Sequence, residues 1–140
     1  MSYLIDYRDT LTHITPDHLS GFFVGWPNGP TPETHYRLLQ GSQHFLLARD
    51  RATGMVVGFI TALSDGVLCA YIPLLEVLPA YQGAGIGGQL VERMLRRLAN
   101  FYMVDLLCDA ELQPYYARFA MRPATGMMVR NYAHQAGHVG

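Results

Sequence analysis

A three-layer α/β domain, with a mixed and mostly antiparallel sheet and helices on both faces, is the fold this sequence predicts. Three observations lead there. Segments of strand and helix character follow one another as strand, two helices, a three-strand meander, helix, strand, helix, strand. Ile86, Leu90, Val91, Met94, Leu95 and Leu98 recur at helical spacing directly behind a glycine-rich run. Half of the 140 residues are hydrophobic and 15% are charged, which gives one domain over 1–140 a real core and leaves no room for a second.

Tyr3–Tyr7 reads as the first strand. Thr15-Pro16-Asp17 supplies an N-cap and a proline at the first helical position, predicting a helix to about Val24. Gly25–Pro30 is a loop by composition, and Thr31-Pro32-Glu33 repeats the cap-and-proline signal for a helix ending near Gly41. His44–Ala48 and Met55–Leu63 are strands joined through a polar turn at 50–54, and Ser64-Asp65-Gly66 turns the chain into a longer strand over Val67–Leu78. The glycine-led helix runs to about Asn100. Val104–Cys108 reads as a buried strand, Leu112–Ala120 as a short helix and Met127–Ala133 as a last strand, with 134–140 expected as a loose tail.

Four glycines fall within six residues at Gly83, Gly85, Gly87 and Gly88, where that helix begins. Without side chains there, a ligand can approach the backbone. The first-turn N–H groups have no intrahelical partner, and the macrodipole adds partial positive charge, so the run suits a phosphate or pyrophosphate. Gly83-Ala84-Gly85-Ile86-Gly87-Gly88 also fits a dinucleotide fingerprint, with Asp105 about 20 residues on. That reading fails on context. Pro79–Gln82 separate the first glycine from its strand, and only 35 residues follow Asp105, too few for the rest of a nucleotide-binding half. No Gly-Lys-Ser/Thr follows, which excludes a Walker A loop.

The longer string Val77-x-Pro79-x-Tyr81-Gln82-Gly83-x-Gly85-Ile86-Gly87 resembles the acyl-CoA-binding motif of the GCN5-related N-acetyltransferases, Gln/Arg-x-x-Gly-x-Gly/Ala. Pro114-Tyr115-Tyr116-Ala117-Arg118-Phe119-Ala120-Met121 is similar to the closing segment of the same family, with Ala120-Met121 where relatives have Gly-Phe. The likeness spans roughly residues 44–132. It implies a sheet splayed between the fourth and fifth strands, here Val67–Leu78 and Val104–Cys108, with acetyl-CoA as acyl donor in the wedge. It further implies transfer to a primary amine, a small molecule being the expected acceptor. Family members commonly pair as homodimers, and the resemblance allows the same here.

By the same resemblance Val77, Leu78 and Pro79 contact the cofactor through their backbone, the N–H near Val77 facing the acetyl carbonyl. Gln82, Gly83, Ala84, Gly85, Ile86, Gly87, Gly88 and Gln89 hold its pyrophosphate, and Asp109 matches a position, often Asn, on the pantetheine arm. Tyr116 matches the family's general acid, a phenol that stays protonated at neutral pH and can donate to a departing thiolate. Tyr115 is the packing alternative. The base is not legible: relatives carry Glu or His at positions matching Tyr71 and Pro73. Glu76 is the candidate, although strict alternation points it away from Tyr71 unless a bulge intervenes. A paired structural carboxylate and a water chain are the other readings of that site. Trp26 and Tyr36, with Tyr71, are expected to cover the acceptor, whereas Phe22 and Phe23 read equally well as packing. A non-catalytic acyl-CoA-binding module is the alternative function.

A formal net charge of −1 without a basic run argues against nucleic acid, and no apolar stretch has the length of a membrane span. Met1–Asp6 lacks the basic start and apolar run of a signal peptide. Cys69 and Cys108 lie in apolar segments and read as reduced, buried thiols, which places the protein in the cytoplasm. His134 and His138 are four apart without further ligands, so no metal is expected.

Overall fold

The computed structural model describes residues 3–138. Strand β1 (Ile5–Arg8) pairs antiparallel with β2 (His44–Asp50), which pairs with β3 (Val56–Ser64). The strand expected over Val67–Leu78 is two pieces, β4 (Cys69–Tyr71) and β5 (Leu75–Val77), both antiparallel to β3. Leu63 lies opposite Tyr71 and Ile60 opposite Leu75, so two residues of β3 face three, 72–74, on the other strand. That extra residue is a β-bulge, and it contains Pro73, which has no N–H to lose from a ladder. The sheet ends with β6 (Met103–Asp105), parallel to β4.

Helix α1 (Pro32–Gly41) forms as its sequence predicts, with Thr31 Oγ1 accepting the Thr34 N–H at 3.2 Å. It covers one face of the sheet with Leu39, Leu47, Phe59, Leu19 and Phe23. Helix α2 (Ile86–Arg97) covers the other through Ile86, Leu90, Val91 and Met94, packed on Leu46, Ile60 and Ala62. A Cβ at Gly58 would stand 3.2 Å from Leu90 Cδ1, so the missing side chain lets α2 lie close on β3. Helix α3 (Gln113–Ala117) follows a 3-10 turn at Ala110–Leu112.

Three expectations are corrected. The first predicted helix is one 3-10 turn, Pro16–Leu19, because the chain turns out at Ser20 and takes left-handed φ at Gly21 and Phe23. The strand expected over Met127–Ala133 does not form. Among the described residues, 121–131 take no regular structure and pair with no strand, and a 3-10 turn covers Tyr132–His134. The tail is pinned, with Asn28 N–H donating to Gln135 Oε1 at 2.8 Å and Arg37 to the His138 carbonyl at 2.6 Å; 139–140 lie outside the described residues.

His35 of α1 is buried among Phe22, Phe23 and Phe59, its ring 4.3 Å from that of Phe59, and neither ring nitrogen has a partner among the described residues. Burial disfavours the charged imidazolium and lowers its pKa to about 4. Between that value and the ordinary 6.5 the unfolded chain binds the proton and the folded chain does not. Stability contributed here is therefore full above about pH 6.5 and falls as pH drops toward 4, by an amount on the order of 3 kcal/mol. Denaturant midpoints measured from pH 7 to 4 should fall in wild type and fall less in His35→Leu.

Candidate active site

Beyond the bulge the sheet opens. β4 and β6 stay paired through Tyr71 and Asp105, and Ile72 N–H donates to the Asp105 carbonyl at 2.9 Å. Past that bond β5 keeps only β3, while the chain after β6 diverges toward Cys108 and Asp109. The resulting cleft, of about 690 Å³, is walled by Ile72–Val77 on one side and Leu106–Asp109 on the other. Leu78 N–H donates to the Val57 carbonyl at 2.8 Å and Thr61 N–H to the Leu74 carbonyl at 3.1 Å. Because backbone groups alternate edges along an antiparallel strand, the N–H and C=O of Leu75 and Val77 face away from β3, toward the wedge. The Val77 carbonyl accepts from Gln82 Nε2 at 3.0 Å, and its N–H is left aimed at the cleft.

At the wedge's end the chain makes a 3-10 turn at Pro79–Tyr81 and then enters the glycine run. This turn is fastened from behind. Tyr81 Oη donates to Asp50 Oδ2 at 2.7 Å, the Tyr3 ring packs tilted against that of Tyr81, and Tyr3 Oη donates to the Ala80 carbonyl. Gly83 and Gly85 hold φ +84° and +82°, and a Cβ at either would meet nothing within 4 Å. Glycine is thus required there for conformation, and the concave side stays open. Gln89 N–H donates to the Gly85 carbonyl, the first bond of α2, and among the described residues the N–H groups of 83–88 have no acceptor. A free amide row, positive φ and a helix N-terminus together fit a pyrophosphate. Gly87 and Gly88 serve packing as well, since a Cβ at Gly87 would stand 3.2 Å from Tyr115 Oη and one at Gly88 3.7 Å from Phe119 Cζ.

The two tyrosines of α3 divide. Tyr115 lies against α2, with Arg118 over its ring. Tyr116, edge-on to Tyr115 at 5.1 Å between ring centres, lines the cleft beside Cys108. Burial pushes the Tyr116 phenol up to about 12, with Tyr115 and Cys108 adding to the shift. Across the cleft, Glu76 lies opposite Phe59 while Tyr71 lies opposite Leu63, and Phe59 and Leu63 share one face of β3. The bulge has therefore brought Glu76 to the face of Tyr71. Its carboxylate accepts the N–H groups of Phe23 at 2.8 Å and Val24 at 3.2 Å, fastening the loop that carries Trp26 over the cleft.

A sequence profile described as the Acetyltransferase (GNAT) family matches residues 11–121. The chain belongs to this family. A Deinococcus radiodurans protein assigned as an acetyltransferase is 47% identical, covering 97% of this chain and 94% of its own, with a TM-score of 0.94. A GNAT family protein from Streptococcus pneumoniae is 28% identical over 91% of this chain and 98% of its own, at a TM-score of 0.71. A chloroplastic GCN5-related N-acetyltransferase of Arabidopsis thaliana is 39% identical over 67 residues, 46% of this chain and 28% of that relative. The match thus spans under a third of the plant protein. The sheet, its splay and the glycine-led helix are those of a GNAT acetyltransferase, an enzyme whose fold accepts acetyl-CoA.

In this GNAT domain the cleft gathers Glu76, Val77, Pro79, Gln82, Asp109, Tyr116 and Trp26 from the expected set. Tyr36 packs beneath the sheet on Phe59's side, and Tyr71 is a half-exposed residue of β4; neither lines the cleft. Leu78 reaches toward Gly21, and Gln89 is exposed and accepts from Arg93. Asp109 precedes the 3-10 turn at 110–112. Cys69 and Cys108 are free thiols and half-buried, where full burial was expected. Phe23, for which packing was an equal reading, lines the cleft, and sequence reasoning missed Val24, Leu74, Cys108, Met128 and Arg130, which line it too. Asp50, which anchors Tyr81, carried no signal beyond a carboxylate at the end of a strand. Among the described residues no helix is long and apolar enough to cross a membrane.

Proposed function

We propose that this GNAT acetyltransferase transfers an acetyl group from acetyl-CoA to a small primary amine, in the cytoplasm, with Tyr116 as general acid. The observation that supports the reading is a shared cleft with a phosphate cradle next to it in the chain. Val77, Pro79, Gln82 and Tyr116 line one cleft, and the amides of 83–88, unpartnered among the described residues, follow directly after Gln82. Acetyl-CoA supplies an activated thioester carbonyl. The amides of 83–88 bind its pyrophosphate, and the free backbone edge of β5 pairs with its pantetheine arm, with Asp109 on the opposite wall. The Val77 N–H donates to the acetyl oxygen, where negative charge grows during attack. The amine nitrogen forms its bond to the acyl carbon, the carbon–sulfur bond breaks, Tyr116 gives its proton to the leaving sulfur, and the proton shed by the new amide nitrogen returns through water to restore the Tyr116 hydroxyl.

The acceptor side is walled by Phe23, Trp26, Phe59, Leu74 and Met128, which fits an amine with an apolar body. Glu76 uses one lone pair on each oxygen for the Phe23 and Val24 amides, and a carboxylate has about two more to offer. Those face the cleft and attract the acceptor's ammonium, whose proton leaves to Glu76 or to water before attack. Two free thiols support a reducing compartment.

The test is a coupled assay against a panel of arylalkylamines, amino acids and polyamines. Thiol released in equal amount to N-acetylated product is expected with at least one apolar-bodied amine. Saturable acetyl-CoA binding with no thiol release from any amine would overturn the small-amine reading.

A further inference from the structure

The cleft holds opposite charges that do not meet. Glu76 and Asp109 are the carboxylates among the described residues that line it, and Arg130 is the only base. Among the described residues no ion pair joins Arg130 to either of them or to any other acid. Unlike charges in one cleft attract, so a pair left apart has a reason in the backbone. Glu76 is clasped by the Phe23 and Val24 amides at 2.8 and 3.2 Å. Arg130 Nη1 donates to the neighbouring Val129 carbonyl at 3.3 Å, a single donor of a guanidinium fork that has more to give.

Arg130 stands on the acceptor half of the cleft. The arm that carries it meets the β6 side at Gly126, where a Cβ would stand 2.6 Å from Leu107 Cδ2. Further on, Gln135 accepts the N–H of Asn28, close in the chain to Trp26, and the His138 carbonyl accepts from Arg37 of α1. Between these two anchors Met128 and Arg130 line the cleft. The arm thus ends on the face that α1 covers, whereas the glycine run opens α2, which packs on the opposite face. That placement gives the guanidinium to the acceptor and leaves the cofactor's phosphates to the glycine run.

On the small-amine reading, on which this rests, we infer that the acceptor also carries a carboxylate held by Arg130, and so belongs to the class of amino acids with an apolar body. Its ammonium takes the remaining lone pairs of Glu76, and its body lies among Phe23, Trp26 and Met128. Its planar carboxylate matches the two-pronged guanidinium. A ligand with both charges answers both groups at once. A simple arylalkylamine leaves Arg130 unanswered, and a polyamine meets it as a like charge.

Matched acceptors test this: phenylalanine against phenethylamine, and para-(aminomethyl)benzoate against benzylamine, the two acids differing in how far apart their charges stand. In at least one pair the acid should show a kcat/KM about tenfold or more above its partner, as expected for one charge-assisted contact. Arg130 is exposed on irregular backbone, so its substitution should leave the fold intact. Arg130→Gln should bring that ratio near one, mainly through KM, and Arg130→Glu should reverse it. Hydrocinnamate, which has the body and the acid without the amine, should compete with the acceptor in wild type and about tenfold less well in Arg130→Gln. The wild-type ratio needs no variant and decides the matter even if one folds poorly. Equal turnover within both pairs, a ratio unchanged in folded Arg130→Gln, or equal inhibition of wild type and that variant by hydrocinnamate would each overturn the inference and leave the small-amine reading standing. No thiol release from any amine would overturn that reading itself, and the carboxylate assignment with it.

Discussion

Gly85→Val should abolish acetyl-CoA binding while leaving the protein folded. Gly85 sits at φ +82° as the residue that opens α2, and its surroundings are empty, so the new side chain meets no packed neighbour. The damage is conformational. A β-branched residue is strained at positive φ, and relieving that strain rotates the peptide planes that aim the amides of 83–88. Calorimetric titration should show affinity reduced by at least two orders of magnitude, on the order of 3 kcal/mol for several charge-assisted bonds. Gln82→Ala is the contrast. Its side-chain amide bonds to the Val77 carbonyl and leaves the amides of 83–88 untouched, so its loss should weaken binding only a few-fold. Undiminished affinity in the valine variant would remove the phosphate-cradle account.

Tyr116→Phe should separate chemistry from binding. The ring remains in its place against Tyr115, so cofactor affinity should be nearly unchanged, and only the hydroxyl's proton is lost. Turnover should fall by roughly 10²-fold or more, the usual range for a positioned general acid. The pH dependence carries a second check. An acid must be protonated to act, and this phenol gives up its proton only near pH 12, so Tyr116 contributes no loss of kcat/KM between pH 7 and 10. An ordinary exposed tyrosine would begin to lose its proton near the top of that window. Full turnover in the phenylalanine variant would retire Tyr116 as the acid.

How much of this was legible in the sequence differs from part to part. Local signals that act on their own backbone survived: Thr31-Pro32 starts α1, and the glycine run starts α2. Signals that tertiary contacts compete for did not. Thr15-Pro16 begins a helix as well, but Glu76, 53 residues away from Phe23, captures the amides of Phe23 and Val24 and turns the chain out after one 3-10 turn. Strand periodicity over Val67–Leu78 could not reveal which residue is the bulge, since only the register against β3 shows it. Met127–Ala133 has the composition of a strand but pairs with no strand among the described residues, a fact about pairing that no single segment can carry. Among the cleft residues, the glycine motif and Tyr116 were readable because their spacing is fixed by one turn and one helix. Arg130 and Met128 reach the cleft on an irregular arm, and irregular backbone leaves no periodic trace.

The central claim is that one wedge holds pyrophosphate, acetyl carbonyl and leaving sulfur in register, and a crystal structure with acetyl-CoA bound tests it most directly. The pyrophosphate is expected on the amides of residues 83–88, the acetyl oxygen about 2.7–3.1 Å from the Val77 nitrogen, and the sulfur within hydrogen-bond reach of Tyr116 Oη. A cofactor whose sulfur lies on the far side of β5 from Tyr116, or whose phosphates sit away from the glycine run, would contradict it.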